Sequence, residues 1–99
     1  MNSHVLNEIN RAAVRTGWEV IALVEVPSPP HSGTVPHGFA AVKRDHSPLG
    51  PGREYATARW YVQPTGGGFE SGDYDLTREG ALSSLAERAG LRVPMKEEA

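Results

Sequence analysis

Four histidines, His4, His31, His37 and His46, offer the most versatile chemistry in this chain. Imidazole titrates near neutrality and ligates transition metals. His31 and His37 flank one loop, and Asp45 with His46 occupies the next. Their spacing matches no ligand signature, and no helix carries two of them at i and i+4. Solvated loop histidines are therefore expected, with no metal site. Ser71, Asp73 and Asp75 supply further parts of a hydrolytic set. No serine, however, falls on the strained strand-to-helix turn that a nucleophile elbow needs. Asp73 is expected to pair with Arg59 across a hairpin, and Asp75 to favour the N-terminus of the following helix. The run Gly66-Gly67-Gly68 joins two strands and has no lysine behind it, so it reads as a hairpin turn and not a phosphate cradle. No catalytic, cofactor-binding or metal-ligating residue is assigned, and an enzyme is not expected.

The surface of most interest is the outward side of the third strand, Tyr55, Thr57, Arg59 and Tyr61, joined by Ile21 and Leu23 of the first strand. Tyrosine and arginine are enriched at binding hot spots. Such a face also stacks bases in single-strand nucleic-acid binders. A half-covered sheet with ordinary cross-strand pairs is the plainer reading. The candidate binding surface is Ile21, Leu23, Tyr55, Arg59 and Tyr61. The function expected is a non-enzymatic interaction module that presents a sheet face or edge, to a second copy or to another protein. A phage or host regulatory protein is one form of it. The alternative is a nucleic-acid-associated protein using the same Tyr/Arg face.

Composition narrows these classes. Ten basic and twelve acidic residues leave a net charge of −2. The basic excess that supplies phosphate affinity is missing, which disfavours nucleic acid as partner. The chain has no cysteine, so disulfides, thiol chemistry and the common structural zinc sites are excluded. No basic segment followed by an apolar run opens the chain, and no stretch reaches the roughly 18 apolar residues of a membrane span. A soluble cytoplasmic protein without a membrane partner is the expectation. At 99 residues the length is that of one domain.

The elements that must position these residues are well marked. Val5, Ile9, Ala12, Ala13 and Thr16 recur at helical spacing over residues 3–16, with Asn2 or Ser3 as cap and Gly17 as the left-handed stop. Residues 18–26 form a strand with apolar positions on both faces. Trp18, Val20, Ala22, Val24 and Val26 take one side, and Ile21 and Leu23 the other, between Glu19 and Glu25. A proline-rich loop over 27–36 stops it. A shorter strand follows over 38–44, then a second Pro/Gly loop over 45–52.

Residues 53–63 alternate, with Ala56, Ala58, Trp60 and Val62 facing inward. Pairing Gln63 with Phe69 across a turn over 64–68 would set Trp60 against Gly72, Ala58 against Tyr74, Ala56 against Leu76 and Arg59 against Asp73. Thr77 caps a helix over 78–89, whose stripe is Ala81, Leu82, Leu85, Ala86 and Ala89 and whose stop is Gly90 backed by Leu91. The fold expected is α+β: a four-stranded antiparallel sheet in the order αββββα, with both helices on one face in two layers. One domain spans 1–93, and 94–99 is a frayed tail.

From Leu6-Asn7-Glu8 through Gly17-Trp18-Glu19-Val20-Ile21-Ala22-Leu23 to Val42-Lys43-Arg44, the chain resembles small bacterial domains of the DUF4177 type. Those run from a helix through a "GWE" strand to a strand ending in Lys-Arg. The run Gly68-Phe69-Glu70-Ser71-Gly72-Asp73-Tyr74-Asp75-Leu76-Thr77, with Ala81-Leu82 after it, looks like short proteins of actinobacteria and their phages. The resemblances imply a small α+β fold and supply no catalytic residue or ligand. The order of elements is also similar to double-stranded-RNA-binding domains. The last helix, with Arg78 and Arg88 alone, lacks their lysine cluster.

Overall fold

The structure, a computed structural model, describes residues 2–27 and 33–90, with residue 71 described by its backbone only. His31, Leu91 and the tail expected over 94–99 lie outside the described residues. The elements are α1 (Ser3–Thr16), β1 (Glu19–Val26), β2 (His37–Lys43), β3 (Tyr55–Gln63), β4 (Gly66–Leu76) and α2 (Arg78–Arg88). The strands form one antiparallel sheet in the order β1-β2-β3-β4. The α+β class and the αββββα order are thus as the sequence predicts. Among the described residues no helix is long and apolar enough to cross a membrane.

Both helices start where their caps dictate. Asn2 Oδ1 accepts from the Val5 amide at 2.9 Å, and Gly17 closes α1 at φ 82°. Thr77 Oγ1 accepts from the Gly80 amide at 2.9 Å. A Cβ on Gly80 would stand 3.0 Å from that hydroxyl oxygen. Thr16 stays exposed and turns its hydroxyl back to the Ala12 carbonyl at 2.8 Å.

The helices do not share a face, which corrects the two-layer expectation. Val5 and Ile9 of α1 pack on Ala40, Val42, Ala56, Trp60 and Val62. Ala81 and Leu85 of α2 pack on Ala41 from the opposite side, with Ile21, Ala22, Val24, Phe39, Tyr55 and Leu76 around them. The result is helix, sheet, helix. The cause is that β2 and β3 are apolar or small on both faces, so each face needs a cover. Thr57, expected to face outward, is fully buried beneath α2. Its hydroxyl meets Ser84 Oγ at 3.2 Å and accepts from Arg88 at 3.4 Å. A bulge between Val20 and Ala22 splits β1 as well. Val20 and Leu23 turn toward α1, and Ala22 and Val24 toward α2, so the strict alternation expected for β1 fails at Ile21.

The expected hairpin register is also corrected. β3 and β4 are joined by Pro64-Thr65 alone, and Gln63 pairs with Gly66, Trp60 with Phe69, Arg59 with Glu70 and Thr57 with Asp73. Gly66, Gly67 and Gly68 are strand, not turn. Their bare backbone is what α1 and Tyr61 occupy. A Cβ on Gly67 would lie 2.8 Å from the Glu8 carbonyl oxygen, and one on Gly68 would lie 2.6 Å from the Tyr61 hydroxyl.

Trp60 is fully buried, as its strand position predicts, but under α1 and not under α2. Its indole lies over Gly38, its neighbour across the β2–β3 ladder. The pairing expected with Gly72 used the right device on the wrong strand. A Cβ on Gly38 would collide with the Val24 carbonyl and stand 2.8 Å from Trp60 Cζ2. The indole N–H donates to the Val24 and Phe39 carbonyls, 3.2 Å from each. Tyr74, expected in the core, is 46% exposed and covers Gly72 itself.

Trp60→Ala is expected to cost about 3–5 kcal/mol of unfolding free energy. Gly38→Ala, which overfills the same spot, is expected to cost about 1–3 kcal/mol. Urea unfolding followed by circular dichroism measures both. A loss under about 1 kcal/mol for Trp60→Ala would contradict the packing described.

Candidate interaction surface

The ladders align the α2 side of the sheet into four cross-strand rows. From one end they are Val26–His37–Tyr61–Gly68, Val24–Phe39–Arg59–Glu70, Ala22–Ala41–Thr57–Asp73 and Glu19–Lys43–Tyr55–Leu76. Directly paired residues point the same way, so each row crosses one face. α2 begins just after Leu76 and runs over the last two rows, and its cluster takes in Val24 and Phe39 of the second. Its final residue, Arg88, reaches the second row and lays its guanidinium 5.1 Å above the Phe39 ring. It also approaches Asp73 at 4.0 Å. Eleven residues of helix are too short to reach further.

Beyond Arg88, among the described residues, neither core cluster includes Val26, His37, Arg59, Tyr61, Gly68 or Glu70. Arg59 and Glu70 pair at 3.2 Å with side chains 43% and 47% exposed. The Tyr61 ring covers Gly68. The His37 Nδ1–H donates to the Val35 carbonyl at 3.1 Å, which leaves Nε2 as that ring's other polar atom. The patch therefore combines branched apolar, aromatic and paired charged groups on a rigid sheet.

Of the five residues the sequence nominates, Arg59 and Tyr61 lie together beyond Arg88. Tyr55 lies on the same side but at α2's end, packed with its cluster. Ile21 sits at the bulge and also packs there, and Leu23 faces α1 on the opposite side. The five do not form one patch. The sequence reading missed Val26, His37, Phe39 and Glu70. Alternation within β3 is visible in sequence, but neighbours on other strands require the ladder register.

The residues with reactive side chains lie apart. His4 is on α1, His37 on β2 and His46 on the loop after it. Among the described residues no three His, Asp or Glu side chains converge as metal ligands. Asp45, His46 and Glu54 border a cleft of about 250 Å³, where Glu54 Oε1 is buried without a hydrogen-bond partner. Asp73 faces Arg88, not Arg59. Asp75, expected to favour the helix N-terminus, instead ties down the second loop. Its carboxylate accepts from Ser47 Oγ at 2.6 Å and Arg44 at 3.3 Å, and its carbonyl accepts from Arg53 Nε at 2.9 Å. It does so from a left-handed backbone, φ 61°, rare outside glycine, asparagine and aspartate. Arg44 also lies 5.0 Å above the ring of Tyr74, which neighbours Trp18 at 6.2 Å.

Compared with known proteins, the chain matches no family model, no curated protein and no solved structure.

Asp75→Ala is expected to cost about 1–3 kcal/mol, since it removes the carboxylate that accepts from Ser47 and Arg44 while keeping the unfavourable φ. Asp75→Asn keeps a side chain suited to that φ and should cost less. Thermal unfolding of the two variants reads the difference, and equal losses would contradict a role for the backbone conformation.

Proposed function

We propose that this protein is a cytoplasmic, non-enzymatic interaction module that binds a folded protein surface through the part of its α2-side sheet face that lies beyond α2. The observation that carries this reading is the mismatch of α2 with the sheet it covers. One cross-strand row, Val26–His37–Tyr61–Gly68, and the Arg59–Glu70 pair of the next lie past Arg88, which covers Phe39. A flat apolar and aromatic patch rimmed by paired charges is the composition of a protein contact. The Arg59–Glu70 pair and the net charge of −2 weigh against a phosphate-bearing partner on the same face. The cysteine-free composition suits a reducing compartment.

A benzophenone photo-cross-linker placed at Tyr61, and separately at Val14, tests the surface in living source cells. Val14 is 77% exposed on α1, on the other side of the sheet. Discrete protein adducts are expected from position 61 and not from position 14. No adduct from position 61, or adducts to nucleic acid alone, would refute the proposal.

A further inference from the structure

We draw no further inference here: the strongest candidate, the Val26–His37–Tyr61–Gly68 row beyond the end of α2, belongs to the surface already described, and nothing in the structure shows what covers it.

Discussion

The structure depends on one contact, the Trp60 indole lying across Gly38. A buried tryptophan brings a large apolar surface and one N–H that must find an acceptor. Here the absence of a side chain at Gly38 lets the ring lie flat on the sheet, and the N–H reaches the Val24 and Phe39 carbonyls. One side chain therefore binds β3 to β2 and β1 at once. Val5 and Ile9 of α1 complete the same cluster, and Phe69 borders it from β4. With the register of the middle strands held in this way, the residues facing the other side are fixed too, because a one-residue slip would invert both faces.

That second face is where the protein's economy is visible. α2 is short, and its grip on the sheet is partly polar. Thr57, Ser84 and Arg88 form a small hydrogen-bonded set beneath and beside it, with Arg88 also over Phe39. Buried hydroxyls demand partners, so this set locates the helix more sharply than alanine and leucine packing alone. The same set marks the limit of the helix's cover. The interaction proposed for the face beyond Arg88 thus follows from helix length and from where Arg88 ends it, not from any special loop.

Glycine and aromatic residues recur as partners around the sheet. Tyr61 covers Gly68 and Tyr74 covers Gly72, as Trp60 covers Gly38. β4, glycine-rich and at the sheet's edge, is further secured by side chains that bond its carbonyls. Arg15 donates to Gly67 at 3.0 Å and Arg53 to Asp75 at 2.9 Å. Two irregularities in its pairing with β3 add to this. Satisfied carbonyls and bulges make a poor template for strand addition, so β4 is blunted as an edge.

Local signals in the sequence were enough for the elements themselves. Asn2, Gly17 and Thr77 set helix ends by hydrogen bonding and backbone freedom within a few residues, and alternation in β3 placed Trp60 inside. Those features need no knowledge of the rest of the chain. The partner of Trp60, the face taken by each helix and the meaning of Gly66 to Gly68 were decided only in three dimensions. An aromatic ring needs a bare backbone beneath it, but several glycines could supply one, and only the β2–β3 ladder selects Gly38. A sheet with two apolar faces needs two covers, yet nothing local says which helix takes which. Arg59 and Tyr61 could be nominated from β3 alone, whereas their neighbours His37, Phe39 and Glu70 come from strands whose register depends on contacts far along the chain.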